Sequence, residues 1–301
     1  MARSAPAGGR LSGSRLTGDR LSGGRRSGGR RSGGRRSGGR RSAGRLGRRT
    51  GSVALELAVP AALLAAWWVL SAGSSSLYFP PLSSIVSSLW HVWLSADLRS
   101  DVLPSLEHLA LGLLIAVVAG VAFGVVLGLA PVLADAVAPI LEFLRAIPGV
   151  ALLPAALLLL GIGPKMQVSL IAYGTIWPIL LNTADGVRAV DPVIRDVARS
   201  YRIGTPDRLL RIVIPAASPQ IVTGIRTALS IGITVIVFSE MVGSTNGIGY
   251  QILQAQRSFA VPQMWAGMVL LGLIGFLLNL AFREFEHVVL RWHRGMRATS
   301  R

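Results

Sequence analysis

The chain contains no cysteine and only one lysine, Lys165. Without cysteine there is no disulfide, no thiolate metal site and no cysteine nucleophile, and nothing follows about compartment. The lone lysine precedes Met166 rather than Ser or Thr, and no G-x-x-x-x-G-K-[ST] phosphate loop occurs. There is no H-E-x-x-H, and the four histidines, His91, His108, His287 and His293, share no metal-binding spacing. Acid is also scarce: 14 Asp and Glu stand against 31 Lys and Arg, a formal net charge of +17. What fills the chain is hydrocarbon. Hydrophobic residues make up 51% of 301 positions, and the mean hydropathy is +0.55, too apolar for an ordinary soluble domain.

The charge is unevenly spread. Residues 1–50 carry 15 of the basic residues and one acid, Asp19, so the rest is nearly neutral. RRSGG repeats every five residues from Arg25 to about Gly39. Arg, Gly and Ser cannot bury enough apolar surface to offset chain entropy, which predicts a disordered basic tail over 1–50. Its basic charge suits an orientation signal and contact with anionic lipid headgroups. A reading frame begun too early would also produce it. Nucleic acid is a poorer partner, because no aromatic residues are interleaved to stack bases.

A bilayer core takes about 20 apolar residues as helix. Six stretches qualify: Val53–Ala72, Leu106–Leu129, about Val137–Leu160, Met166–Val187, Ala217–Val242 and Met264–Phe282. Pro148 and Pro154 interrupt the third, which predicts an interfacial helix over Ala134–Ile147 and then an inward turn. The first could instead be a secretory signal core, although it is long for one and Trp67–Trp68 suit an interfacial belt. The expected fold is an all-α membrane protein, a polytopic bundle of about six helices. It divides into the tail (1–50), a first span (51–73), an external segment (74–103), a five-span core (104–290) containing a polar loop (188–215), and a basic end (291–301).

The loop carries Arg188, Arg195, Arg199, Arg202, Arg208 and Arg211, and the C-terminal end Arg283, Arg291, Arg294, Arg297 and Arg301. The opposite side has Arg99, Lys165 and Arg257. That bias places both termini in the cytoplasm. Gly112, Ala116, Gly120, Gly124 and Gly128 recur every four residues in span two, and Gly224, Ala228 and Gly232 do so in span five. Such ridges let helix backbones approach closely, within one subunit or between two.

The loop itself reads VIRDVARSYRIGTPDRLLRIVIP, Val193 to Pro215. Val193, Val197 and Tyr201 share one helix face, with Ile194 and Ala198 beside it and the arginines elsewhere. Gly204 is expected to stop this helix in a left-handed conformation. Thr205 would cap a second helix, with Pro206 first and Asp207 near its positive end, and Pro215 would end it. A helix with an apolar stripe among arginines suits a groove on another protein or the membrane surface.

This stretch resembles the EAA loop in permease subunits of bacterial ATP-binding-cassette importers. Asp196, Val197 and Ala198 fall at the E-A-A positions, Arg202 at the usual glycine, and Ile214–Pro215 at the closing pair. The order of YFPPLSSIVSSL, LRAIPGVALLPAALLLLGIGPK, IVTGIRTALS and SEMVGSTNGIGYQI is similar to the sulfonate, nitrate and taurine branch. LSGGR at Leu21–Arg25 is only part of the tail repeat and not the signature of the partner ATPase. The resemblance implies a bacterial inner-membrane protein without catalytic activity or cofactor, ATP being used by cytoplasmic ATPase subunits. An extracytoplasmic solute-binding protein would deliver a small, anionic solute to a permease dimer. Val193, Asp196, Val197, Ala198, Tyr201, Arg202, Gly204 and Pro215 would couple to the ATPase, with Tyr201 as anchor. An ion-gradient transporter is the alternative, for which inverted repeats and more intramembrane acids would be expected. Two ionisable residues lie in span five. Arg226 either faces the pathway and attracts an anionic solute, or snorkels or pairs with a loop acid, and Glu240 is either a pathway residue or structural, supporting the SEMVGSTNGIG loop.

Overall fold

The computed structural model describes residues 58–95 and 97–290. The tail, its repeat, residues 51–57 of the first expected span and the basic end from 291 lie outside them. Among the described residues the chain is built from helices: α1 Ala58–Ser71, α2 Leu82–Ser88, α3 Leu103–Leu129, α4 Pro131–Ala146, α5 Leu153–Leu160, α6 Pro164–Arg188, α7 Pro192–Ser200, α8 Thr205–Arg208, α9 Ile214–Gly243, α10 Ile248–Arg257 and α11 Val261–Val289. Three continuous helical stretches are long and apolar enough to cross a bilayer: Leu98–Leu129, Thr205–Gly243 and Val261–Val289. Helix α4 with the segment Gly149–Leu160 makes a fourth if this pair, bent by 78°, counts as one span. Helix α6 has the length, at 25 residues, but carries more polar groups, because it lies at the centre of the bundle.

Proline sets most of the breaks. Ala130, before Pro131, leaves the helical region (φ −119°, ψ 83°) and closes α3. Ile147, before Pro148, is extended (φ −80°, ψ 114°) and closes α4. A short 3-10 turn, Gly149–Leu152, then leads to α5, whose first turn holds Pro154. The expected break at Pro148 is thus present, and the arm before it begins at Pro131.

Small residues set the packing. A Cβ added to Gly112 would lie 2.6 Å from Ile171, one on Gly120 2.9 Å from Ile179, one on Gly124 2.6 Å from Thr183, and one on Gly128 2.5 Å from Val187. These pairs keep one constant offset, so α3 and α6 run parallel in direct backbone proximity. On the other side of α6, Gly224 meets Pro178 and Asn182, and Gly232 meets Thr175. Ala116 and Ala228, both fully buried, meet Ile179 where the three helices converge. Both ridges therefore make contacts within this subunit.

The segment between α1 and α3 folds against the start of α11. Trp93 is fully buried, and its indole N–H donates to the Gln263 carbonyl at 3.1 Å. The Trp265 indole donates to the Tyr78 carbonyl at 3.0 Å.

Candidate functional site

Helix α7 lies at the end of the bundle where α3 and α6 finish and α9 begins. Its start is fixed by Asp191, whose carboxylate accepts from the Val193 amide at 2.8 Å while Pro192 occupies the first turn. Asp-Pro was a legible start signal, and the sequence reading did not use it. The base of α7 is locked down. Ala198 is 1% exposed, and the Arg195 guanidinium donates to the last carbonyls of α6, Val187 and Arg188. Those carbonyls have no partner within the helix, so the arginine closes the end of α6 and ties α7 to it.

The expected apolar stripe faces the other way. Val193 is 65% exposed, Val197 49% and Tyr201 79%, with Ile194 beside them. Asp196 pairs with Arg199 at 3.6 Å, both side chains in the open. The arrangement is a short amphipathic helix fixed at its back and bare at its front.

The turn after α7 departs from expectation. Gly204 is not left-handed: it has φ −56° and ψ 148°. The left-handed residue is Arg202, with φ 49°. Its amide donates to Arg199 O at 2.9 Å, and the Ile203 amide to Ala198 O at 3.0 Å. Together these bonds form a Schellman cap with Arg202 at the position glycine usually fills. That is the position at which the EAA-like pattern expects glycine, so the cap geometry persists although its residue has changed. Gly204 instead precedes α8. Thr205 supplies no side-chain cap, and Pro206 lies in the first turn as expected.

Pro215 does not end the second helix. A wide π turn, Leu209–Val213, joins α8 to α9, and helix continues from Thr205 to Gly243 over 39 residues. Pro215 has no amide hydrogen, and its ring crowds the carbonyl four residues back, so a widened turn just before it lets the helix pass. Val213 and Ala217 of this rod are buried against Val125 of α3 and Val187 of α6. The front of α7 is therefore one capped turn from a stiff rod that runs the length of the bundle.

The far end of the rod is also fixed. Glu240, 1% exposed, accepts from Ser105 Oγ at 2.6 Å and from the Gly249 amide at 2.9 Å. Asp101 accepts from the Gly247 amide at 2.8 Å, and Ser105 Oγ accepts from the Ile248 amide at 3.0 Å. Gly247 has φ 112°, and a Cβ there would lie 2.5 Å from the Glu240 carboxyl carbon, so glycine is required. Glu240 thus holds the SEMVGSTNGIG turn onto α3. Asp101 and Ser105 were missed, because they lie more than a hundred residues away in the chain. Arg226 pairs with Glu286 of α11 at 3.0 Å. Its partner is a helix acid. Among the described residues no three His, Asp or Glu side chains gather as for a metal ion.

Fold and site together describe a multi-pass helical membrane protein with an exposed amphipathic helix at one end of its bundle. A family model described as binding-protein-dependent transport system inner membrane component matches residues 112–291, and the chain belongs to that family. It is 29% identical over 248 residues to the taurine transport system permease protein TauC of Escherichia coli, covering 80% of this chain and 90% of that one. It is 31% identical over 235 residues to the nitrate import permease protein NrtB of a Synechocystis strain, covering 74% and 85%. The bicarbonate transport system permease protein CmpB of Synechococcus elongatus is 30% identical over 255 residues, covering 81% and 92%. Among solved structures, an inward-facing form of the MetNI methionine ABC transporter superposes with a TM-score of 0.56 at 21% identity, covering 66% of this chain and 97% of that one. The chain is an importer permease of the sulfonate, nitrate and taurine branch, carried in the inner membrane.

Proposed function

We propose that this subunit forms the path for a small anionic solute and takes its driving force from a separate cytoplasmic ATPase through α7. The observation that carries this is the bare front of α7 above a locked base. Val193, Val197 and Tyr201 enter a groove on the ATPase, with Tyr201 as the anchor, since a buried aromatic often dominates interface energies. Closure of the ATPase pair on ATP moves the groove, and the capped turn passes that motion into the rod Thr205–Gly243. Two copies of the chain work about a two-fold axis with both termini cytoplasmic, and a solute-binding protein delivers substrate from the opposite face. Coupling then requires only that the docked lever favour one of two arrangements of the spans.

The test is co-purification with the importer's own ATPase subunit. Tyr201→Asp and Val193→Asp should release the ATPase while leaving the permease folded, because both residues are exposed. Ala198→Arg is a poor probe, since its site is buried and the change would damage the anchorage itself. ATPase retention by both aspartate variants, or uptake driven by a proton or sodium gradient with no ATPase present, would refute the proposal.

A further inference from the structure

Arg226 is paired with Glu286. Arg145, at the end of α4, instead lines open space between helices. Tyr173 Oη donates to the Leu144 carbonyl at 2.6 Å and pins that end of α4 to α6. Just beyond, the broken span crosses α6 so closely that a Cβ on Gly149 would lie 3.3 Å from the Gly174 Cα. Trp177, which lines the same cavities as Arg145, is close to the middle of α6. Arg145 is therefore held about midway between the two ends of the bundle, where an uncompensated charge is costly and rarely without purpose.

Two cavities meet at this arginine. One, of about 310 Å³, is lined on the α7 side by Asp135, Glu142, Asp185 and Arg188 as well as Arg145. None of these carboxylates forms an ion pair with Arg145. The other, of about 520 Å³, is bounded by Pro148, Gly149, Gly174, Trp177, Ser230 and Thr234, and Arg145 is its only charged residue. Ser230 and Thr234 belong to a row on α9, with Thr223 and Thr227, at i, i+4, i+7 and i+11. All four are exposed. Four hydroxyl residues on one face of an apolar span suit a polar path better than hydrocarbon.

We infer that Arg145, with the hydroxyls of Ser230 and Thr234, forms an anion-binding station in the transit path, built for a compact oxyanion such as nitrate, bicarbonate or a sulfonate head. This rests on the reading of the chain as a solute permease. A planar guanidinium matches two oxygens of such an anion at once, and the Ser230 hydroxyl supplies a further donor, whereas Thr234 Oγ1 donates to the Ser230 carbonyl at 3.3 Å and must turn from it to reach an anion. The second cavity has room for one small anion and contains no carboxylate to compete for the arginine. The acids of the first cavity, on the α7 side of Arg145, weaken the potential that the arginine presents to an anion, so the station holds its ligand only weakly, as transit requires.

The experiment uses the complete importer, with its own ATPase and solute receptor, in sealed proteoliposomes. ATP-driven uptake of labelled nitrate, bicarbonate, taurine and ethanesulfonate is measured for each variant. Arg145→Gln should reduce uptake of whichever anion the wild type carries by about tenfold or more, the effect of losing a charge-assisted contact made in transit. Arg145→Lys keeps the charge but not the planar fork, and should fall between the wild type and Arg145→Gln. Ser230→Ala combined with Thr234→Val should lower uptake with Arg145 untouched. Equal uptake by wild type and Arg145→Gln overturns the station while leaving the permease reading intact. A loss on Arg145→Lys as deep as on Arg145→Gln also overturns it, because the positive charge would then contribute nothing to transit. If the wild type carries none of the four solutes, the anion station and the anionic-solute reading fall together.

Discussion

Arg202 offers the sharpest test of the lever's construction. A non-glycine residue in the left-handed region costs about 1–2 kcal/mol, and Arg202 bears that cost at φ 49°. Glycine removes the strain but gives up about 0.5–1 kcal/mol through the greater freedom of the unfolded chain. Either Gly or Ala also removes a positive charge from the C-terminal end of α7, worth about 0.3–1 kcal/mol there. The decisive comparison is therefore Arg202→Gly against Arg202→Ala, which lose the same charge and differ in the strain. The balance favours glycine by about 0.5–1 kcal/mol, or about a two- to fivefold difference in local opening. The reporter is the Ile203 amide, whose bond to Ala198 O closes the cap. Its hydrogen exchange, corrected for intrinsic rates, should be slower in the glycine variant than in the alanine variant by that factor. Equal protection, or better protection with alanine, would mean that residue 202 is not left-handed and that the cap assignment is wrong.

Two further outcomes follow from the packing and the charges. Gly124→Ala places a methyl 2.6 Å from the Leu180 carbonyl oxygen, and helix backbone cannot give way cheaply. A loss of about 1–3 kcal/mol is expected in detergent-induced unfolding, whereas Gly272→Ala, with nothing within 4 Å, should be neutral or slightly stabilising. Asp97, just ahead of the apolar stretch Leu98–Leu129, has its pKa raised by burial and by the neighbouring Asp101. A carboxyl whose folded pKa lies above its unfolded value disfavours folding once ionised, and the penalty fades as pH falls through that folded pKa. Asp97→Asn should therefore raise the thermal midpoint slightly at neutral pH and leave it unchanged near about pH 3. A stabilisation that grows on acidification would contradict this.

The long apolar stretches and the four-residue glycine spacing were legible because each is a local regularity that a helix turns directly into a face. The bare stripe on α7 was legible for the same reason. The turn that follows was misread because glycine is the usual left-handed residue, and a glycine stood only two places away at Gly204. Hydrogen bonding outweighed that preference: the cap bonds from Arg202 and Ile203 close where α7 ends, and that end is fixed by the burial of Ala198 and the clamp of Arg195. Pro215 was misread because a proline stops a regular α-helix but can be carried by one wide turn. Glu240 with Ser105, and Arg226 with Glu286, had no local signal at all, since each pair joins distant parts of the chain.

These corrections change how force would cross the subunit. Had Pro215 ended the second helix, the lever would be joined to the spans by a flexible corner, and motion at α7 would be absorbed there. With helix continuous from Thr205 to Gly243, the compliant points along that route are the capped turn at Arg202 and the π turn before Pro215. The rod is held at one end by Val213 and Ala217 and at the other by Glu240 and its partners. Between them it packs on α6 through Gly224, Ala228, Gly232 and Val235, and it carries Ser230 and Thr234 beside Arg145. On the proposed coupling, a tilt imposed at the α7 end would displace the hydroxyl row relative to the arginine. On that coupling, ATPase and pathway are linked through one helix, and a substitution that stiffens the Arg202 turn should alter uptake without touching either the ATPase groove or the anion station.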